Sequence, residues 1–148
     1  ILRQGAPLAA ADQDAYYAQV IAPQMSQPHP AQVLAAFLLD GDLIGYGGLV
    51  HISWEHRRGE VSFITATDRQ TPEQFETDLG AFFPLILEVA ERLGLHRLTT
   101  ETYAFRTDYV RIAEGAGFVL EGRLREHIRH EDGYVDSLIH GVLLPRIP

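Results

Sequence analysis

Residues 94–141, GLHRLTTETYAFRTDYVRIAEGAGFVLEGRLREHIRHEDGYVDSLIHG, decide the fold. Upstream of them Leu85, Ile86, Val89, Ala90 and Leu93 recur at helical spacing, and Gly94 stands just past the end, where a helix stop needs it. Residues 97–103 then read as a short strand, and 107–116 as a helix closed by Gly115 and Gly117. Two long strands follow, 118–129 and 134–144, around Glu131-Asp132-Gly133. If Asp132-Gly133 is the two-residue turn, Arg129 faces Asp136, an ion pair of about 0.2–1 kcal/mol.

Outward from that stretch the same reasoning continues. The run VLAAFLL at 33–39 is apolar and closed by Asp40-Gly41-Asp42, a hairpin signal. A second strand spans 43–54, where Gly45, Gly47 and Gly48 mark a bulge or close approach by another backbone. Arg57-Arg58-Gly59 turns into a third strand, 60–66, with Val61, Phe63 and Thr65 on one face and Glu60, Ser62 and Ile64 on the other. Thr71-Pro72-Glu73-Gln74 has the residues of a helix start, and Pro84 predicts a kink or a second start near Phe82. Residues 1–32 read as one helix, with Asp12 and Asp14 near its start, broken at Pro23, Pro28 and Pro30. An antiparallel meander, then β-α-β-α and a hairpin, predicts an α+β (mixed α/β) fold in one domain, 1–148, with helices on both faces of the sheet.

Composition excludes several functions. At 148 residues, 46% hydrophobic and 22% charged, the chain has the make-up of a single globular domain. Without cysteine it has neither disulfides nor thiolate metal sites, and a cytoplasmic location is expected. A net charge of -8 argues against nucleic acid as the main partner and suits an amine. No run approaches the ~20 apolar residues of a membrane span, so no membrane partner is expected. No signal-peptide pattern is seen either, and because the chain begins with Ile1 a preceding piece is expected to be missing. The seven histidines include no HExxH, and the spacings of His127/His130 and His51/His56 put partners on opposite strand faces, so no metal is expected. His51 and His140 are candidates to line a substrate pocket.

Leu93-Gly94-Leu95, Gly117-Phe118, Glu121-Gly122, the basic strand from Arg123 to Arg125, and Gly133-Tyr134-Val135-Asp136 follow one another at fixed spacing. In that order they resemble the C-terminal half of the GNAT-type N-acetyltransferases, most closely the ribosomal-protein acetyltransferase branch. The resemblance implies a GNAT-like, mostly antiparallel central sheet in which one parallel strand pair splays apart. It also implies acyl-CoA-dependent acetylation of a primary amine, a small molecule or a peptide N-terminus, with acetyl-CoA as co-substrate and self-association into a homodimer.

Acetyl transfer needs an acceptor for the amine proton, donors for the oxyanion and a proton for the leaving thiolate. By the resemblance Glu60, at the start of the third strand, is the base; were the pH-rate profile unchanged in Glu60→Gln, His51 would be next in line. Tyr109 stands where the branch carries a small hydroxyl residue and would protonate the thiolate. The backbone of Ile64, Thr65 and Ala66 would line the acyl-CoA arm. Arg106 takes the place of the family's cofactor-contacting Asn and would reach a CoA phosphate, helped by Arg69.

One segment departs from the pattern. The family's pyrophosphate loop, Q/R-x-x-G-x-G/A, falls on Thr71 to Glu76, here TPEQFE, with Gln74 and Glu76 in place of both glycines. Glu73, Glu76 and Asp78 would repel a pyrophosphate, so acetyl-CoA is expected to bind weakly or not at all, with any phosphate contact through Arg106. Two alternatives therefore stand beside the acetyltransferase: a degenerate GNAT-shaped binding or dimerisation module, and an N-acetyltransferase of nucleotide-linked amino sugars with a groove near Trp54, Tyr103 and Arg125.

Overall fold

Helix formation begins at Ala10, two residues ahead of Asp12, because Asp12 serves at N3: its carboxylate accepts from the Ala9 N–H at 3.1 Å. The computed structural model describes residues 9–69 and 71–145. The chain divides into two units, Ile1–Ala31 and Gln32–Pro148. In the first, α1 (Ala10–Tyr16), a π-helical turn (Tyr17–Ile21) and α2 (Ala22–Gln24) follow without a gap and end one residue after Pro23. The part of the expected helix before Ala9 lies outside the described residues.

The second unit opens with β1 (Val33–Leu39), antiparallel to β2 (Asp42–Ser53). Leu39 faces Asp42, so Asp40 and Gly41 form the loop, with φ of 52° and 93°, the pair of left-handed residues a type I′ turn requires. β3 (Arg58–Thr65) pairs antiparallel with β2. The turn before it sits earlier than the sequence suggests: Arg57 takes the left-handed φ, 48°, and donates to the Trp54 carbonyl, while Arg58 and Gly59 already belong to the strand. Gly47 and Gly48 are required by their neighbours, as their spacing suggests. A Cβ at Gly47 would lie 2.4 Å from the Ser62 carbonyl oxygen, and one at Gly48 2.0 Å from that of Val33.

α3 (Pro72–Arg92) is capped by Thr71, whose hydroxyl accepts from the Gln74 N–H at 3.3 Å. It is one helix of 21 residues, so the second start near Phe82 is absent. Pro84 and Gly80, whose carbonyl loses its partner to Pro84, are both exposed, and water can take the place of the missing bond. The opposite side of α3 buries Leu79, Phe82, Phe83, Ile86 and Ala90. After it come β4 (Arg97–Tyr103), α4 (Thr107–Gly115), β5 (Val119–His130) and β6 (Gly133–Leu143). The strand order is β1-β2-β3-β4-β6-β5, and only the β3–β4 pair is parallel. Leu49, Val61 and Leu98 from the sheet, the buried side of α3, and Ile112 and Ala113 of α4 form one core.

The last hairpin corrects the sequence reading. His130 faces Gly133, so Glu131-Asp132 is the loop and Arg129 lies opposite Tyr134, not Asp136. Between Leu124 and Ile128 the register shifts, and Glu126 takes φ 50° there. Asp136 holds that bulge, accepting from the Glu126 N–H and from Arg123, each at 2.8 Å. Next to the loop the misplacement moves partners by two positions, which leaves those side chains on their own faces, so burial alternation could not detect it.

Candidate active site

β3 and β4 are in register for three rungs only, Arg58↔Arg97, Gly59↔Leu98 and Glu60↔Thr99. Both strands run on, to Thr65 and Tyr103, but no longer pair. A slot opens beyond Glu60, between two parallel strands that keep their direction and lose their mutual hydrogen bonds.

The slot is lined by backbone. The Ala66 N–H donates to the Ile44 carbonyl at 2.9 Å. Alternation along an antiparallel pair then turns the backbone groups of Ile64, Ser62 and Glu60 toward β2 too, and those of Val61, Phe63 and Thr65 toward the slot. Of the three residues assigned to the acyl-CoA arm, Thr65 faces the slot; Ile64 and Ala66 direct their backbone groups to β2.

A cleft of about 490 Å³ opens at this end, walled by Thr65, by Pro72 and Phe75 at the start of α3, and by residues 105–109 at the start of α4. Arg106 stands in it with its guanidinium carbon 5.4 Å from the Phe75 ring centroid and 5.7 Å from that of Tyr109, a cation held on two aromatic faces. It has no carboxylate partner among the described residues. Arg69, expected as its helper, is otherwise engaged: Nε and Nη2 donate to the two oxygens of the buried Asp78, each at 2.7 Å.

Tyr109 is buried, and its hydroxyl lies 2.6 Å from Thr100 Oγ1. Burial pushes the phenol's pKa up, the Glu60 charge adds to that, and the Thr100 bond and Arg106 oppose it. The phenol therefore holds its proton at neutral pH, the protonation state a general acid needs. Glu60 alternates with Val61, a core residue on the helix side, so its carboxylate lies on the other face of the sheet. There His51 Nδ1 sits 2.8 Å from Glu60 Oε2. An acid candidate and a carboxylate thus flank the slot from opposite faces.

The carboxylates near the α3 start are less repulsive than the sequence implies. Glu76 is held by Arg111 through two 2.8 Å bonds, which lower its pKa, and Asp78 by Arg69. Of the three expected to oppose a phosphate, only Glu73 has no Arg partner among the described residues. Arg111 and Thr100 were not singled out from the sequence; Thr100's place beside Leu98 on the alternating face of β4 was the one usable signal.

Other candidates are scattered. His140 is fully buried, with Nε2 3.5 Å from Glu114, and does not line an open pocket. Trp54 precedes β3, whereas Tyr103 ends β4, so they sit at opposite ends of the parallel pair, about 20 Å of strand apart. Arg125 is on β5. Among the described residues no group of three His, Asp or Glu is placed to hold a metal ion, and no helix is long and apolar enough to cross a membrane.

The sequence matches a family model described as "Acetyltransferase (GNAT) domain" over residues 4–139. It matches no curated protein significantly. Similar solved structures include spermidine N-acetyltransferase from Vibrio cholerae in complex with CoA and spermine, at TM-score 0.76 and 21% identity over 95% of this chain and 78% of that one. A dodecameric structure of that enzyme gives 0.75 and 23% over 90% and 73%. The Vibrio cholerae spermidine/spermine N-acetyltransferase in complex with manganese ions gives 0.77 and 21% over 96% and 82%. At such identities the likeness is one of fold.

Proposed function

The chain belongs to the GNAT acetyltransferase-domain family, and from that premise we propose that it is an acyl-CoA-dependent N-acetyltransferase of primary amines, small molecules or peptide N-termini, with acetyl-CoA as donor. The observation that carries this reading is the parting of β3 and β4 after Glu60↔Thr99, which leaves slot-facing backbone groups on Val61, Phe63 and Thr65. An acyl-pantetheine arm is an extended chain with amide donors and acceptors, and it can pair there as a missing strand would. The arm's partners in this proposal are therefore Thr65 and the two residues that alternate with it, in place of Ile64 and Ala66. Arg106 receives a CoA phosphate at the cleft, where the starts of α3 and α4 also present N–H groups.

The reaction then runs across the slot. The amine lone pair attacks the thioester carbonyl from the Glu60 face and loses a proton there. As the C–S bond breaks, sulfur takes the Tyr109 proton from the helix face. The rival reading, a binding module that has lost cofactor affinity, keeps the missing glycines of TPEQFE as its support. Pairing of Glu76 and Asp78 with arginines removes much of its electrostatic argument.

The test is release of free CoA thiol from acetyl-CoA with a panel of acceptors: monoamines, spermidine and spermine, and short peptides with free N-termini. Turnover with any class supports the proposal; thiol release that never exceeds the amine-free rate sinks it. Self-association belongs to the same proposal and is read by sedimentation.

A further inference from the structure

β2 is irregular beside Glu60. Its pairing with β3 is continuous to Val50↔Glu60 and resumes only at Ser53↔Arg58, so His51 and Ile52 face the single residue Gly59. Leu49 and Ile52 both point into the core. In an unbroken strand those two would lie on opposite faces. The extra residue is taken up at His51, with φ 50°, a left-handed conformation that is uncommon outside glycine and for which His, Asn and Asp are the usual exceptions. Regular alternation would have aimed His51 at the helices. The bulge turns it to the face of Glu60, with Nδ1 2.8 Å from Oε2 and side-chain exposures of 61% for His51 and 27% for Glu60.

An ionised carboxylate only accepts, so this bond keeps the neutral imidazole's proton on Nδ1 and leaves the Nε2 lone pair facing outward. A base oriented by a carboxylate on its other nitrogen is a proton-transfer device, whereas an exposed pair of this kind adds little to stability. The pair also sits on the last rung before the slot.

We infer that His51 is the general base of the acyl transfer and Glu60 its positioning residue, an inference that rests on the acetyltransferase reading. As the amine nitrogen bonds to the thioester carbon, its N–H bond breaks and the proton forms an Nε2–H bond. The resulting imidazolium is offset by Glu60 and returns its proton to water. The C–S electron pair leaves on sulfur, which takes the Tyr109 proton, and the phenolate recovers a proton from water.

Three variants test this. His51→Asn keeps a donor toward Glu60 and tolerates the left-handed backbone, but has no lone pair in place of Nε2. His51→Gly fits the same φ and leaves room for free imidazole. Glu60→Gln removes the orienting charge. Expected are a fall in kcat of about 10²-fold in each, an unchanged KM for acetyl-CoA, and recovery of His51→Gly by at least tenfold on adding imidazole, with no such recovery in Glu60→Gln. The double variant His51→Asn/Glu60→Gln should be no slower than the slower single one, as for groups that act as a unit. Wild-type kcat in His51→Asn, or failure of imidazole to act on a folded His51→Gly, overturns the role of His51. No turnover by the wild type with any amine overturns the acetyltransferase reading itself. Imidazole ¹⁵N shifts then still decide the pair: an Nδ1 proton lost in Glu60→Gln upholds it, and an Nε2 proton in the wild type refutes it.

Discussion

Tyr109 carries a structural and a chemical duty on one hydroxyl. Replacing it with Phe leaves Thr100 Oγ1 without its 2.6 Å partner in the core, a loss of about 1–3 kcal/mol. The pH dependence has a definite sign. The folded pKa is raised, chiefly by burial, so the stability contributed by the neutral phenol is complete below the unfolded value of about 10 and is lost as pH rises through the folded one. Urea unfolding from pH 8 to 11 should show the gap between wild type and Tyr109→Phe narrowing at the alkaline end; a constant gap would mean the phenol does not titrate differently on folding. In turnover the same substitution should lower kcat with the amine KM unchanged, and equal effects on both would argue for packing alone. Of the residues that make this site, Glu60, Thr65, Arg106 and Tyr109 were named from the sequence through the family resemblance, and the structure places Glu60 on the last rung before the slot and the other three around the cleft. His51's approach to Glu60 was not legible, because a bulge reverses parity and leaves no trace in spacing.

At the scale of elements, glycines separate what the fold requires from what it tolerates. Gly48 has φ 152°, and a Cβ there would lie 2.0 Å from the Val33 carbonyl oxygen, so Gly48→Ala must push β1 off β2. Gly80 in α3 is exposed and has nothing within 4 Å of an added Cβ. Gly80→Ala should stabilise the protein by about 0.5–1 kcal/mol through the lost conformational freedom of the unfolded chain. Thermal melts of the two variants should move in opposite directions, and a destabilised Gly80→Ala would show that the helix is distorted around Pro84. The elements themselves were largely readable: β4 begins and ends where the sequence places it, and β1 likewise. What escaped was register in the β5–β6 hairpin, where three β5 residues bulge against Asp136. Side-chain to backbone capping of that kind depends on geometry two strands make together, and neither strand's pattern announces it.

For the whole molecule the open quantity is affinity for acetyl-CoA, an anion offered to a chain of net charge -8. Long-range charge is unfavourable, so binding has to be local. The absence of glycines in TPEQFE removes the close backbone wrap around pyrophosphate. Against that, Arg111 and Arg69 hold Glu76 and Asp78, and Arg106 has no carboxylate partner among the described residues and lines the cleft. Its stacking on Phe75 and Tyr109 fixes it in place before a ligand arrives, which lowers the entropy cost of binding. We therefore expect acetyl-CoA to bind, and to raise the melting temperature. At a hundredfold excess over Kd the gain is about 2.7 kcal/mol, several degrees for a chain of this length. Arg106→Ala should weaken binding by at least tenfold, and its affinity should depend less on salt than the wild type's, because one phosphate contact is gone. Calorimetric titration of both proteins at low and at moderate salt measures the two effects together. Equal affinities would move the phosphate contact elsewhere, to the helix N-termini, and no binding to either protein would leave a GNAT-shaped module whose slot is empty of chemistry.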